Sequence, residues 1–348
     1  MRKIIIFIAF VLSISTYAQQ VGKVEIKKQS GFGLKKFNEA PKKVFIQDFF
    51  INYQIIFDQI EIAKGGREFG GGVRGDAKAQ LVLAVKGVSE QDLQDITDKL
   101  YKEYVAKLKA KGFEIVTSKD VQENDIFKDW ILLDGGTPVK SQFPGYVTTA
   151  PTGFQFLTKK ISKKGKLKKK SIFDNGMGTS KSLGGIIVAR VNMVVPFIKD
   201  VESMASSALT KSFGGVAKIV VKPELSIIQN TSVKTTGAFG PKVILLNTSS
   251  VFAYKESLKN QASLITIPKK KIVINEVFEI KKYKAIKSAG QDLWGSSYGA
   301  VKVFSVNDAI IKKMQAVPCE SQIYKKGVLD AGSQYLDKSL SQFLSNIN

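Results

Sequence analysis

The stretch SEQDLQDITDKLYKEYVAKLKAK, residues 89–111, carries the clearest helical pattern in the chain. Ser89 is a helix-capping residue, and Asp92 stands three positions later, which is the spacing of a capping box. Apolar residues then recur every three or four positions and form one stripe along a helix, namely Leu93, Ile96, Leu100, Tyr104 and Leu108. Gly112 follows the last turn as a left-handed stop. The stretch therefore predicts an amphipathic helix with one face to bury.

Strand patterns lie on both sides of this helix. Five of the seven residues 44–50 are apolar and predict a buried strand, and the apolar run to Ile62 predicts its continuation. Residues 79–85 and 113–117 predict the strands that enter and leave the helix. Residues 186–197 form a strong apolar run and predict a long central strand. This order predicts the α/β (α+β) class: a mixed twisted β-sheet flanked by helices, with an inserted loop-rich region and a C-terminal helix.

Weaker patterns predict the remaining elements. The predicted strands are at residues 21–26, 217–229, 242–254 and 271–280. The predicted helices are at residues 120–133, where Trp130 is included, and at 200–213, 307–316 and 320–347. Pro223 places its strand near a sheet edge or a bend, because proline lacks the N–H that a central strand donates. Gly327 and Gly332 weaken the start of the last helix.

The N-terminal residues have the pattern of an export signal. Arg2 and Lys3 precede an apolar run that ends at Ile14, and Ala18 is the small residue of a cleavage site. The apolar run is too short to span a bilayer, which takes about 20 residues. We therefore expect residues 1–18 to be a cleaved signal peptide and the protein to be exported.

The rest of the chain divides into an arm and a domain. Residues 19–41 are polar and bear several lysines, and we interpret them as an N-terminal arm. Residues 42–348 predict one mixed α/β domain. Glycine, proline and lysine concentrate between about residues 134 and 185, which we interpret as an insertion in that domain. A boundary between two domains is the alternative.

The composition is basic and poor in the residues that commonly do chemistry. The chain has 53 Lys and Arg against 30 Asp and Glu, a net charge of +23; without Arg2 and Lys3 the counts are 51 and 30, or +21. The chain has no histidine, which excludes Ser-His-Asp and Cys-His sites and imidazole metal ligands. Cys319 is its only cysteine, which excludes an internal disulfide and a cysteine-based zinc site. We expect no catalytic motif, no cofactor and no metal site, and anionic surfaces or polyanions as partners rather than nucleic acid.

Positive charge is most concentrated in residues 159–170, where eight of the twelve residues are lysines. This lysine cluster consists of Lys159, Lys160, Lys163, Lys164, Lys166, Lys168, Lys169 and Lys170. Gly165 lies in its middle and predicts a flexible loop or hairpin tip, in which the lysines repel one another. We expect the cluster to bind an anionic membrane or envelope surface, because each lysine near such a surface contributes about 1 kcal/mol. A loop whose charge only keeps the protein soluble is the alternative.

The glycine-rich segment at residues 65–75 matches a nucleotide-binding pattern only in its spacing. Gly70, Gly72 and Gly75 fit the pattern G-x-G-x-x-G. That fingerprint joins a strand to a helix that opens at its last glycine, whereas residues 79–85 predict a strand. We therefore interpret the segment as a mobile loop.

Two parts of the chain resemble a group of bacterial envelope proteins. The run Lys43-Val-Phe-Ile-Gln-Asp-Phe49 resembles the opening strand, V-x-x-x-D/P-F, of CsgG-like and TolB N-terminal-like proteins. Residues 101–112 and the run Phe113-Glu-Ile-Val116 resemble the helix and the Gly-Phe-x-Val-Val strand that follow in those families. The resemblance, over about 75 residues, implies a mixed sheet flanked by helices, an envelope location and a ring-forming secretion or assembly component. Because no cysteine stands near residue 18 to carry a lipid anchor, we transfer the architecture and the location, not a pore.

These observations leave three hypotheses for the function. The first, which we favour, is a non-enzymatic binding or assembly component of the periplasm or outer membrane, joined by other envelope proteins or by further copies of the chain. The second is an exported carboxylate-based hydrolase, such as a glycosidase with two acidic residues. Asp48, at the end of the first predicted strand, is the best single carboxylate for it, and acceptance of backbone hydrogen bonds is its alternative role. The third is a polyanion-binding or membrane-surface module that uses the lysine cluster.

Overall fold

The computed structural model describes residues 20–63, 77–128, 130–140, 144–159, 176–199, 218–237, 240–286 and 314–347. The predicted signal peptide, the predicted glycine-rich loop, the predicted helix at 200–213 and the first part of the predicted helix at 307–316 lie outside these residues. The strands are β1 (Ile26–Phe32), β2 (Lys43–Gln54), β3 (Ile56–Ala63), β4 (Ala77–Lys86), β5 (Glu114–Val116), β6 (Trp130–Asp134), β7 (Val139–Lys140), β8 (Tyr146–Thr149), β9 (Gln155–Lys159), β10 (Ile187–Val195), β11 (Lys218–Val221), β12 (Leu225–Ile227), β13 (Asn230–Gly237), β14 (Gly240–Asn247), β15 (Ser249–Lys255), β16 (Gln261–Pro268), β17 (Ile272–Ile274), β18 (Tyr283–Ile286) and β19 (Met314–Pro318). The helices are α1 (Glu90–Ala110), α2 (Ser118–Val121), α3 (Met177–Ser182) and α4 (Ser321–Leu344), with short 3₁₀ helices at Leu34–Glu39 and Asp125–Phe127.

Eight strands form the main sheet. Their order is β1-β16-β15-β10-β2-β8-β7, and β5 pairs with the first residues of β2. Strand β2 is parallel to β10 and β5, whereas its neighbour β8 and all the remaining pairs are antiparallel. A mixed sheet with helices confirms the predicted fold class. Strand β10 lies in the middle of the sheet, as the apolar run at 186–197 predicts.

The predicted continuation of the first strand belongs to a second sheet. Strand β2 ends at Gln54, and β3 then pairs with β4, which also pairs in parallel with β19. The N–H groups of Ile55 and Ile56 both donate to the Gly145 carbonyl, at 2.9 and 3.0 Å. Gly145 has a φ of +79°, and a Cβ there would lie 2.2 Å from the Ile56 carbonyl oxygen. Only glycine therefore fits where the chain passes from one sheet to the other.

Helix α1 agrees with its prediction at both ends. Ser89 Oγ accepts a hydrogen bond from Asp92 N at 3.1 Å, and Ser89 N donates to Asp92 Oδ2 at 2.9 Å, which completes the capping box. The predicted stripe is fully buried and consists of Leu93, Ile96, Leu100, Tyr104 and Leu108. Gly112, just past the end, has a φ of +80°. The aromatic rings of Tyr101 and Phe49 lie 5.2 Å apart, so α1 packs against the middle of β2.

Helix α4 lies beside α1 and runs parallel to it. Three side-chain contacts between the helices each join residues 230 positions apart, namely Asp95–Lys325, Glu103–Ser333 and Lys107–Asp337. A constant separation means that both helices advance in the same direction. A Cβ built on Gly332 would lie 2.9 Å from Leu100 Cδ1. Gly332 lowers the helix propensity of α4, but because it has no side chain it lets the two helices approach closely.

A β-bulge in β2 decides which side chains face these helices. Ile46 pairs with Ala189 and Asp48 pairs with Arg190, so Gln47 is the extra residue. The extra residue changes the phase of the alternation along the strand. The β2 residues buried in the core with α1 and α4 are Val44, Ile46, Phe49, Ile51 and Tyr53. Asp48 consequently lies on the opposite face of the sheet.

Two predicted helices are wrong where they meet distant strands. Trp130 begins β6, which pairs with β9, although Ser118–Val121 and Asp125–Phe127 are helical as short pieces. Residues 314–316 belong to β19 because they pair in parallel with β4 and bury Met314. In both places pairing with a distant strand overrides the local helical pattern. The C-terminal helix is confirmed.

Several predicted strands begin or end at other residues. The strand expected at 21–26 is wrong: Val21 makes only an isolated bridge to Ile274, residues 22–25 are not in a strand, and β1 starts at Ile26. The strand expected at 217–229 is broken at Pro223 into β11 and β12, and that at 242–254 is divided into β14 and β15. The strand expected at 271–280 ends at Ile274, because Glu276 turns the chain with a φ of +62°.

The arm and the loop-rich region both contribute to the main sheet. Strand β1, within residues 19–41, pairs with β16 and forms one edge. Strand β8, within residues 134–185, pairs with β2 at its C-terminal end, opposite residues 51–54. Strand β9 and helix α3 also come from this region. Both segments therefore supply ordered elements in addition to loops.

Candidate functional site

The lysine cluster falls almost entirely outside the described residues. Lys159 is the last residue of β9, where it pairs with Trp130 of β6. The other members lie beyond the described part of the chain, namely Lys160, Lys163, Lys164, Lys166, Lys168, Lys169 and Lys170. The cluster therefore starts at the end of a strand that belongs to a two-stranded ribbon.

Asp48 lies in the middle of β2 and not at a strand end, because the strand continues to Gln54. Its Oδ2 accepts a hydrogen bond from Arg190 Nε at 2.7 Å. The two side chains are only 12 % and 20 % exposed. The parallel pairing of β2 with β10 puts the two residues directly opposite each other. The carboxylate is thus joined to an arginine, whereas a glycosidase would set it beside a second acid.

A row of polar side chains crosses the same face of the sheet next to this ion pair. Asn52 Nδ2 donates to Asn192 Oδ1 at 2.9 Å and to the Met193 carbonyl at 3.2 Å, and Asn52 Oδ1 accepts from Thr148 Oγ1 at 2.7 Å. Asn192 in turn donates to the Asn247 carbonyl. These bonds link β8, β2 and β10 to the end of β14. The groups of Asn52 are fully engaged within the sheet, so the row fixes strand register.

A basic groove lies where the chain enters β1 and passes α4. It has a volume of about 580 Å³ and is lined by Lys23, Val24, Glu25, Ile26, Lys269, Lys338, Ser341, Gln342 and Ser345. Lys338 Nζ donates to the Val24 carbonyl at 2.7 Å, which ties α4 to the start of the groove. Three of the four charged residues in the lining are lysines. The groove therefore carries an excess of positive charge.

Glu25 is the one acid in this groove, and it is held ionised. Lys23 Nζ lies 2.6 Å and Lys269 Nζ 3.7 Å from its carboxylate oxygens. The hydrogen bond from Lys23 and the charges of Lys23, Lys269 and Lys270 lower the pKa of Glu25. The side chains of Lys23 and Lys269 are 83 % and 56 % exposed. Both lysine side chains are therefore largely open to solvent although they contact Glu25.

Comparison with known proteins gives no relative. The chain matches no protein-family model, no characterised protein and no solved structure. Within the described ranges, no three Cys, Asp or Glu side chains gather as metal ligands would. None of the helices in the described part of the chain has the length and apolarity needed to cross a membrane. Function has therefore to be inferred from the geometry of this chain itself.

Cys319, the one thiol, lies in a setting that suppresses its reactivity. Burial, with a smaller contribution from the negative charge of Asp92, raises the pKa of the thiol to about 12. Its Sγ donates a weak hydrogen bond to the Lys86 carbonyl at 3.5 Å. Near neutral pH the thiol is protonated, and the thiolate is the reactive form. The setting of Cys319 is that of a structural cysteine.

A second cavity of about 400 Å³ lies between α2 and α3. Two of the polar side chains around it, those of Asn124 and Asp120, already have partners. Asn124 donates to the Ser182 carbonyl at 2.9 Å and accepts from Ile126 N at 3.2 Å. Asp120 accepts from Thr117 N and Thr117 Oγ1, both at 2.7 Å. These groups cap and join short helices, and they leave the basic groove as the better candidate site.

The sequence contains a signal for the polar row on β10 but not for the basic groove. Arg190 and Asn192 are polar residues at alternate positions in a central apolar strand, which indicates that one face of β10 meets polar partners. The basic groove combines residues near 23, 269 and 338, and no local pattern connects these three segments. Only the fold brings its lysines together.

Proposed function

We propose that the protein is a non-enzymatic binding component of the bacterial cell envelope that holds anionic partners through its lysines. The observation that carries this proposal is the basic groove, which Lys23, Lys269 and Lys338 line together with a single acid, Glu25. The excess of 53 basic over 30 acidic residues extends the same preference to the whole surface. The resemblance to CsgG-like and TolB N-terminal-like proteins supports an assembly role in the same location.

The ion pair of Asp48 argues for binding over hydrolysis. An acid that transfers protons must reach a substrate, whereas Asp48 is 12 % exposed and bonded to Arg190. The neighbouring Asn52 is also engaged, in the polar row. These polar groups hold strands together, while the lysines of the groove face solvent. The difference in exposure favours a binding surface as the functional part of the molecule.

The envelope location rests on the leader-like residues 1–18. Protein purified from the envelope of its native cell should begin at Gln19 or within a few residues of it, because Ala18 supplies the cleavage site. Intact-mass measurement tests this expectation. A mature chain that still carries Met1 would overturn the proposed location.

Binding through the groove is tested with dextran sulfate, a soluble polyanion, as the probe. Substitution by glutamine of Lys23 and Lys269 in the groove, and of Lys270 next to it, should weaken its binding about tenfold or more at low salt, since each lysine near an anionic surface contributes about 1 kcal/mol. Isothermal titration calorimetry measures the affinity. The control replaces Lys99, Lys102 and Lys128 by glutamine, three exposed lysines outside the groove, and it removes the same charge. Equal losses in both variants would mean that overall charge, and not this groove, binds the polyanion.

A further inference from the structure

Strand β1 leaves one edge of the main sheet open among the described strands. It pairs with β16 on one side, and no described strand pairs with its other side. All residues from Lys27 to Phe32 are exposed, and Phe32 is 42 % exposed. An edge strand carries unpaired N–H and C=O groups that can bind a further strand. The open edge is therefore a place where an extended segment can add to the sheet.

The charges along this edge disfavour a second copy of the chain as the added strand. Lys27 and Lys28 lie on β1, and Lys269 and Lys270 follow its partner strand β16. Pairing of two such edges would bring lysines close to one another, and like charges on neighbouring strands are destabilising. The register shift between Lys28 and Ser30 also interrupts a flat edge. Lysines and bulges at edges are known to prevent self-pairing.

The same charges favour an acidic segment. Five lysines lie at the start of the edge and in the turn beside it, namely Lys23, Lys27, Lys28, Lys269 and Lys270. The one acid near them is Glu25, which Lys23 and Lys269 already contact. The basic groove lies directly before β1, so edge and groove form one continuous surface. Ser341 of α4 and Ser345, which caps the end of that helix, add hydroxyl groups to the groove. At the other end of the edge, Phe32 offers an exposed ring for an apolar contact.

We propose that the open edge of β1 and the adjoining groove dock an extended acidic segment of a partner protein, which adds to the main sheet as a further strand. This proposal rests on the proposed function as a binding component and names the partner's chemistry. Main-chain hydrogen bonds hold the segment, and acidic side chains select it through the lysines, with Lys27 and Lys28 on opposite faces of β1. The apolar side chains between the acids reach the Phe32 end of the surface.

A synthetic peptide of alternating glutamate and valine residues tests this docking. Fluorescence anisotropy should report saturable binding to the protein. The same peptide with every backbone amide methylated keeps its charge but has no N–H on either edge for strand pairing, and it should bind at least about tenfold more weakly. Equal binding of the methylated peptide would overturn docking as a strand.

Charge reversal on the edge supplies the second arm of the test. The Lys27→Glu/Lys28→Glu variant should lose at least about tenfold in affinity for the glutamate peptide and gain affinity for a lysine and valine peptide. The Lys99→Glu/Lys102→Glu variant, with the same charge change on the exposed face of α1, should do neither. Circular dichroism verifies that both variants are folded. Equal effects of the two variants would overturn recognition by the edge.

The remaining outcomes separate this proposal from the function on which it rests. Groove-dependent binding of dextran sulfate without binding of the glutamate peptide overturns the docking and leaves the proposed function standing. Displacement of the peptide by anionic vesicles, with no effect of backbone methylation, assigns the surface to membranes and also overturns the docking. Self-association in sedimentation velocity that charge reversal at Lys27 and Lys28 abolishes would assign the edge to a second copy.

Discussion

Replacement of Leu100 by alanine should lower the free energy of unfolding by about 2–5 kcal/mol, the range for buried leucines. Leu100 is 1 % exposed and lies in the contact between α1 and α4, where its methyl groups approach Gly332. Denaturant titration measures the change. Lys102→Ala on the exposed side of the same helix is the control and should change stability by less than about 0.5 kcal/mol. Similar effects of the two substitutions would mean that the stripe is not the core face.

The same contact predicts a coupling between Leu100 and Gly332. An added methyl group in Gly332→Ala meets Leu100 Cδ1 at 2.9 Å and Met193 Cε at 3.2 Å. Leu100→Ala removes the closer of these atoms. The double variant should therefore be more stable than the sum of the two single effects predicts, by about 0.5 kcal/mol or more. Additive effects would contradict the close approach of the two parallel helices.

Replacement of Asp48 by alanine should cost about 3 kcal/mol of stability or more, because it leaves the charge of Arg190 without its carboxylate on a largely buried face of the sheet. Thermal and denaturant unfolding measure the loss. The double variant Asp48→Val/Arg190→Leu should recover part of it, since removal of both charges avoids an uncompensated one. An Asp48→Ala variant as stable as the parent protein would contradict the structural role that we assign to the Asp48–Arg190 ion pair.

The exposed ion pair between Lys43 and Glu114 is the matched control for that experiment. It also joins β2 to a parallel neighbour, with an Nζ to Oε2 distance of 3.1 Å. Its side chains are 47 % and 63 % exposed, so solvent screens their attraction. Glu114→Ala should therefore change stability by less than about 1 kcal/mol. The contrast between the two pairs isolates the effect of burial.

The parts of the fold that could be predicted from sequence are those that local pattern decides. Helix α1 has a capping box, a stripe and a terminal glycine in one continuous segment, and it lies where predicted. Strand β10 is wholly apolar on the face that packs against the helices, and its other face is apolar at Val188 and Val194, where smaller clusters cover the sheet. Local periodicity is sufficient for such elements, since each carries its own start, stop and buried face.

The parts that could not be predicted depend on residues far apart in the chain. Trp130 and residues 314–316 are strands because β9 and β4 pair with them. The bulge at Gln47 exists only in the register between β2 and β10, and it alone turns Asp48 away from the helices. Arg190, the partner of Asp48, is 142 positions away. A sequence pattern could select this carboxylate but could not identify its partner.

The lysine cluster provides the most direct test of the claim that lysines hold this protein at anionic partners. The measurement is co-sedimentation with vesicles that contain anionic lipid, at low and at raised salt. Wild-type protein should bind at low salt and be released as salt rises, because screening shortens the range of surface charge to about 8 Å at physiological salt. The test variant replaces five lysines of the cluster with glutamine, namely Lys163, Lys164, Lys168, Lys169 and Lys170.

The control variant removes the same charge from five exposed lysines elsewhere, namely Lys99, Lys102, Lys109, Lys111 and Lys128. Our account predicts that the cluster variant binds at least about tenfold more weakly than the wild type, while the control variant keeps most of its affinity. Equal affinities of the cluster and control variants for the vesicles would contradict it.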